Sequence, residues 1–308
     1  MIIKIRQPLT FSEVGCRDNQ EDCVYPSSQS VTTDCRFFIL CDGMGGHDKG
    51  EVASNTVCQA LGDYFETHTQ TNGIVSIEYF NEALAYAYSE LDKKDIDSNK
   101  KMGTTMTCLY LHHEGYIVAH IGDSRIYHIR PQNVDIGYGR LGIIYQSSDH
   151  SLVNNLIKIG ELSEEEAFNF PQRNIITRCM QPNQERRCKA DVFSFSDIKS
   201  GDYFFLCSDG ILELLTNKRL CEILSDNNTN DREKLEIIKH ECDGKTKDNY
   251  TCYLIPIDKV IKEETNDSLN NDDIIVGILP NQNQKKGISW LWALLCSVTA
   301  ATLLYLIL

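Results

Sequence analysis

The chain has no surplus of basic residues: Lys and Arg total 30 against 44 Asp and Glu, a formal charge of −14. Without a basic stripe to meet a phosphate backbone, nucleic acid drops out as a partner class. Such acidity keeps a body soluble and suits cation binding. Paired cysteines are missing as well. The 13 cysteines run singly from Cys16 to Cys296, an odd number with no Cys-x-x-Cys. That spacing excludes a zinc ribbon and a secreted disulfide framework, and leaves free thiols in a reducing compartment. Cys41 and Cys207, each inside an apolar run, are expected as small buried hydrophobes. The N-terminus, MIIKIRQPLTFSEVG, lacks the long apolar core and cleavage site of a signal peptide. No internal repeat is found.

What is present falls into three parts. Residues 1–257 alternate strand-like and helical stretches and are long enough to bury a full core. Residues 258–287 turn polar and acidic around a short IIVGIL run, as a tether would. From Ile288 to Leu308 the chain reads ISWLWALLCSVTAATLLYLIL, uncharged and without proline. This predicts a membrane-spanning helix with aromatic residues near both ends, a C-terminal anchor. Lys285 and Lys286 just before it predict that the body stays on the cytoplasmic side. The sequon Asn249-Tyr250-Thr251 agrees, because glycosylation there would fall within the candidate site.

Within the body, apolar spacing predicts helices over Glu51–His68 and Ile77–Leu91. Two β-rich runs, TTMTCLYL and YIVAHIG, flank a hairpin turn at His112–Gly115. Ser163 with Glu166 forms a capping box. Helices and strands out of βαβ order predict α+β layering.

Two apolar runs end abruptly in Asp-Gly: FFILCDGMGG around Asp42 and YFFLCSDG around Asp209. Asp248 opens a third apolar run. Asp-Gly commonly marks a tight hairpin, and Asp243-Gly244 reads as one. At 42 and 209 no returning strand follows. Carboxylates held at strand ends, far apart in sequence, gather hard-oxygen ligands around divalent metals. A metal-dependent hydrolase is therefore the leading reading. GCRDNQEDCVY packs Arg17, Glu21 and Asp22 together, either as a solvated charged loop or as a phosphate-binding arginine beside metal-serving acids. Asp123, in IGDSR, is another acid at a strand end.

In this order the segments resemble the metal-dependent protein Ser/Thr phosphatases of the PP2C type, bacterial branch. They are R-x-N-x-E-D at 17–22, DGMGG at 42–46, GTT at 103–105, GDSR at 122–125, SDHSLV at 148–153, flap-like LSEEEA at 162–167, RNIITR at 173–178, SDG at 208–210 and DN at 248–249. The resemblance covers nearly all of residues 8–256. It implies an α+β fold, a four-layer α-β-β-α sandwich, with one C-terminal transmembrane helix added in this chain. It also implies two Mn²⁺ or Mg²⁺ ions and a third, weaker one. Asp42 would bridge the two, Asp209 and Asp248 would complete the first, and the Gly43 carbonyl, Glu21 and Asp22 would serve the second. Asp123 would hold the third, and Arg17 would clamp phosphate. The implied reaction is hydrolysis of phosphoserine or phosphothreonine by a water activated between two metals. Partners would be phosphorylated proteins, among them Ser/Thr kinases and their substrates.

Two departures stand out. Met44 replaces the histidine that animal-type relatives carry as a proton donor, and Cys179-Met180-Gln181 follows RNIITR where a small residue and glycine are usual. A non-catalytic phosphoprotein-binding scaffold is the alternative from another class. A metal-dependent nuclease is a further one, disfavoured by the net acidity.

Overall fold

Strands that are apolar at every position must be covered on both faces, because alternate side chains point opposite ways. Two central strands have this character, β4 (Phe37–Gly45) over its first five residues, Phe37–Cys41, and β11 (Tyr203–Cys207) over its whole length. In β4, Phe38 and Leu40 enter one buried cluster and Ile39 and Cys41 another. In β11, Phe204 and Leu206 join the cluster of Phe38, while Tyr203, Phe205 and Cys207 face a third. The computed structural model that shows this describes residues 1–45, 49–70, 73–95, 102–163, 166–167, 170–172 and 174–262. Gly46, Glu164, Glu165, Arg173, most of the expected tether and the apolar segment Ile288–Leu308 lie outside the described residues. Among those described, no helix is long and apolar enough to cross a membrane.

The shared cluster lies between two six-stranded antiparallel sheets. One runs β1 (Ile2–Ile5), β12 (Tyr250–Ile261), β11, β8 (Arg125–Asp135), β9 (Arg140–Gln146), with β2 (Leu9–Glu13) also on β12. The other runs β10 (Asp191–Phe195), β7 (Gly115–Ile121), β6 (Met106–His112), β4, β3 (Asp22–Tyr25), with β5 (Met102–Thr104) on β4. Helices α1 (Lys49–Thr67) and α2 (Ile77–Asp92) cover the outer face of the second sheet with Ala53, Val57, Leu61, Phe65, Phe80 and Ala87. Two short helices, α3 (Leu152–Lys158) and α4 (Asp209–Leu212), intervene. Then α5 (Asn217–Ser225) and α6 (Asp231–Cys242) cover the first sheet with Leu220, Leu224, Leu235 and Ile238. The result is the expected α-β-β-α order of layers.

Both long helices, the 112–115 hairpin and the Ser163–Glu166 capping bonds form where the sequence predicts them. Asp243-Gly244 does not make a hairpin: it terminates α6, and the Asp243 N–H donates to Lys239 O. The dipeptide suits any turn needing a left-handed residue, so it does not tell a helix end from a hairpin. The last strand also runs past residue 257, pairing Lys259, Val260 and Ile261 with β1. Exposed Asp258 and Lys259 on this outer strand read as linker because one face is in water. The cysteines of the described residues are all free, and Cys41 and Cys207 are fully buried as expected.

One polar network is sealed inside the sandwich. Asp202 accepts Arg130 Nε and Nη2 at 2.9 Å each and His128 Nε2 at 2.8 Å, while His128 Nδ1 lies 2.7 Å from the Tyr116 hydroxyl. Burial pushes Asp202 up, but the bonds to His128 and Arg130 outweigh it and hold the carboxyl below its usual range. Phe204 closes this network, its ring 4.7 Å from both His128 and Tyr116. Phe204→Ala should cost about 3–5 kcal/mol in denaturant unfolding of the metal-free protein. Ile159→Ala, at a site 67% exposed, should stay within about 0.5 kcal/mol.

Candidate functional site

Antiparallel pairing sends the ends of β4, β7 and β11 and the starts of β3 and β12 to one rim of the sandwich. Every candidate acid lies there. Asp22 and Asp42 are register partners on β3 and β4. Asp209 follows β11 as the first residue of α4, Asp248 precedes β12, and Asp123 follows β7. Arg17 Nη2 donates to Asp248 Oδ2 at 2.6 Å. Glu21 adjoins Asp22, its carboxylate lies against Gly50 at the start of α1, and its carbonyl accepts the Gly43 N–H at 3.0 Å. All of the predicted site residues are thus brought to one place.

Close backbone approach, rather than a tight turn, explains the glycine of each Asp-Gly pair. A Cβ at Gly43 would lie 2.2 Å from Gly50 O and 2.6 Å from Glu21 O. One at Gly210 would lie 2.0 Å from Asn249 O. Neither position has room for a side chain.

Residues that sequence reading left without a role hold the acids in place. Asp42 O accepts Thr105 N–H at 2.8 Å and Thr104 Oγ1 at 3.0 Å, and the Asp42 N–H donates to Thr105 Oγ1 at 2.9 Å. Thr105 Oγ1 lies 2.8 Å from Ser124 Oγ, joining the GTT and GDSR segments. Ser208 Oγ donates to Asp22 Oδ2 at 2.8 Å. Asn249 Nδ2 donates to Val14 O at 2.8 Å and Asn19 O at 2.9 Å, and its Oδ1 accepts the Glu21 N–H at 2.8 Å, fixing the loop that carries Arg17. Ser124, Ser208 and Asn249 adjoin acids in the sequence, whereas Thr104 and Thr105 are marked only by the GTT segment. The unusual Met180 is fully buried in the cluster that the second sheet shares with α1 and α2, and it pairs with Thr104 through two 2.9 Å bonds.

The electrostatics are those of a rim short of positive charge. Burial pushes Asp22 up to about 7, with Asp209 and Asp248 adding repulsion and Thr251 and Ser208 opposing. Burial raises Asp123 to about 8, with Asp209 and Asp149 adding to it. Asp209 rises to about 6 through burial and Asp248. Asp42 is driven well up by burial and then by Asp22, Asp209, Asp123 and Asp248. Three buried oxygens, Asp22 Oδ1, Asp123 Oδ1 and Asp209 Oδ1, have no hydrogen-bond partner. Desolvated oxygens of this kind require a proton or a cation. An all-oxygen donor set fits Mg²⁺ or Mn²⁺.

A separate group, His120, His150 and Asp191, offers ligand atoms within 4.8 Å of one another. Its cation position is taken. Arg178 Nη1 lies 2.8 Å from Asp191 Oδ1 and 3.2 Å from His150 Nε2. The two imidazoles also stack at 4.6 Å and 14°, so their lone pairs run parallel instead of converging. This cluster is built around a guanidinium.

Buried carboxylate oxygens without partners at the rim of a two-sheet sandwich suit divalent cations, the chemistry of a metal-dependent hydrolase. Residues 18–234 match the family Protein phosphatase 2C, and the chain belongs to that family. Arg17 lies just ahead of the matched stretch and Asp248 beyond it. Among its relatives is the protein phosphatase PhpP of Streptococcus pneumoniae, 37% identical over 191 residues, 61% of this chain and 72% of that one. The fold is similar to the crystal structure of the Mycobacterium tuberculosis serine/threonine phosphatase PstP/Ppp, with TM-score 0.66 and 26% identity over 83% of this chain and all of that one. It is also similar to a PstP catalytic domain in complex with 2 manganese ions, with TM-score 0.62 and 25% identity over 84% of this chain and 100% of that one. The chain is a metal-dependent protein Ser/Thr phosphatase of the bacterial branch, and such phosphatases use Mn²⁺ or Mg²⁺.

A carboxyl whose folded pKa is raised favours the fold at low pH, and its contribution is lost as pH climbs from the unfolded value to the folded one. For Asp209 that window runs from 3.8 to about 6. Asp209→Asn should therefore stabilise the chelated protein at pH 8, with the gain shrinking towards pH 4, in denaturant melts of the two proteins. Mn²⁺ binding at pH 6 should release protons, seen as binding enthalpies that differ between buffers, and the release should fade above about pH 8.

Proposed function

We propose that the acid rim works as a two-cation centre with a weaker third position. In this reading Asp42 is shared, Asp209 and Asp248 complete the first cation's ligands, and the Gly43 carbonyl, Glu21 and Asp22 serve the second. Asp123 serves the third. The observation that carries it is the set of three buried carboxylate oxygens without partners, on acids whose protonation is strongly favoured. When bound, the cations supply Lewis-acid charge and make water reactive near neutral pH.

The chain's own groups do the rest. Arg17 is 55% exposed and anchored through Nη2 by Asp248, which sets its guanidinium to take phosphoryl oxygens and offset their charge. Thr104 and Thr105 hold Asp42 by its backbone, leaving the carboxylate oxygens for cations. Ser208 orients Asp22 by one oxygen and leaves the other. Met44 has no proton to give, so the leaving alkoxide is protonated by solvent at the centre. Cys41 and Cys207 are buried and their thiols pushed up by burial, which makes them poor nucleophiles.

The same reading places the enzyme at a membrane. The uncharged run Ile288–Leu308 acts as a single C-terminal anchor, the phosphatase body stays cytoplasmic, and its substrates include membrane-associated Ser/Thr kinases and their targets. Asn249 is 4% exposed with both amide hydrogens engaged, so a glycan attached there would be incompatible with the fold, which suits a body kept out of a glycosylating compartment.

The full-length chain should hydrolyse a phosphothreonine peptide with Mn²⁺, lose activity on chelation and regain it on adding metal. Asp42→Asn and Arg17→Ala should each lower kcat/KM by about 10²-fold or more. No turnover with Mn²⁺ bound would return the scaffold reading. For the anchor, protease added outside intact cells should leave the body uncut, and deletion of 288–308 should release an active soluble protein. Cleavage from outside would reverse the orientation.

A further inference from the structure

One residue outside the acid rim grips both the Asp123 turn and the chain stretch Ile175–Arg178. His150 lies between β9 and α3 and is 4% exposed. Its N–H donates to Gly122 O at 2.9 Å, and its carbonyl accepts the Thr177 N–H at 2.7 Å. The ring repeats the connection. Nδ1 accepts the Gly122 N–H at 3.1 Å, and Nε2 lies 3.2 Å from Asp191 Oδ2, while Arg178 Nη1 donates to the other oxygen of that carboxylate, Oδ1, at 2.8 Å. Gly122 is thus held at both its N–H and its C=O by a single residue. The pairing continues as Ser151 bridges Ile176 and the Leu152 N–H donates to Ile175 O at 2.8 Å.

These contacts matter because of what Asp123 lacks. It is 9% exposed, and its Oδ1 has no partner. With that oxygen unheld, the aim of its carboxylate is decided by the backbone on either side. On one side stands Gly122, held by His150. On the other stands Arg125, whose Nε and Nη2 pair with Asp149 at 2.7 Å each. A donor at Gly122 requires Nδ1 of His150 to be bare and Nε2 to carry the proton, the tautomer that donates to Asp191 and leaves Arg178 Nη1, 3.2 Å from the same nitrogen, bonded to that carboxylate instead. Burial lowers this imidazole's pKa, which keeps it neutral.

We infer that His150 is a positioning residue: by gripping Gly122 it sets the aim of Asp123, and it ties that aim to the Ile175–Arg178 stretch. The inference rests on the reading of Asp123 as a ligand of the weakest cation. It follows that displacement of Ile175–Arg178 alters the weakest cation's affinity before it alters the tighter ones.

Two substitutions separate the two ends of the ring. Asparagine places an oxygen where Nδ1 stands, and glutamine places its amide where Nε2 stands. In Mn²⁺ titrations of the full-length chain followed by electron paramagnetic resonance, Asp123→Asn should remove the weakest class of bound Mn²⁺. His150→Gln should weaken that class by about tenfold, the worth of one hydrogen bond. His150→Asn should stay near wild type, and the tighter Mn²⁺ should be unchanged in both. His150→Gln and His150→Asn behaving alike, whether both normal or both impaired, would overturn the positioning role. Asp123→Asn titrating like wild type would overturn the cation reading beneath it, and the inference with it. Should neither histidine variant fold, amide exchange in the wild type decides. Gly122 should be strongly protected, and exchange at the rate of an exposed amide would sink the idea.

Discussion

The constraint on which the structure turns is the gathering of five aspartates at one rim. Burial and acidic neighbours push four of them, Asp22, Asp42, Asp123 and Asp209, towards the protonated state, so the folded chain without cations is held under electrostatic tension. The described groups at the rim offset this in part. Arg17 pairs with Asp248, and Ser208 donates to one oxygen of Asp22. The stabilisation comes from elsewhere, from three apolar clusters stacked through the four layers. A site that repels itself needs a frame that does not yield, and a doubly covered β-sandwich is such a frame.

The frame also dictates which acids meet. Antiparallel register makes Asp22 and Asp42 neighbours although the turn between β3 and β4 is long. Pairing of Cys207 with Cys252 and with Arg125 puts the chain beyond β11 beside the approach to β12 and the start of β8. Asp209, Asp248 and Asp123 follow from that. Polar contacts between segments then remove the remaining freedom. Thr105 joins Asp42 to Ser124, Asn249 holds the Arg17 loop, and His150 holds Gly122. The acids themselves are left with oxygens to spare, as a cation site requires.

The long helices and the 112–115 hairpin were legible because each follows one period: apolar residues three and four apart, or strands broken by a short polar turn. Four layers came from the family resemblance, and the structure supplies their cause in central strands with apolar runs covered on both faces. The misreadings have equally local causes. Asp243-Gly244 closes a helix with the same dipeptide that closes a hairpin. Asp258 and Lys259 belong to an outer strand whose wet face resembles linker. Met180 reads as a departure from a motif, yet it fills a place in the core beside α1 and α2.

Sequence alone determined the chemistry available: the acids, the arginine, the glycines beside two of the acids, and the absence of any softer metal donor among them. These are properties of single residues and short segments, and they survive in any fold. Only the tertiary structure decided that Gly43 and Gly210 answer to backbone approach, that Thr105, Ser208 and Asn249 secure the rim, and that the guanidinium of Arg178 lies against His150 and Asp191. Those facts depend on contacts between segments tens to hundreds of residues apart. A local pattern carries no record of such distances, because the same residue type serves equally well as a solvated side chain or as a buried brace.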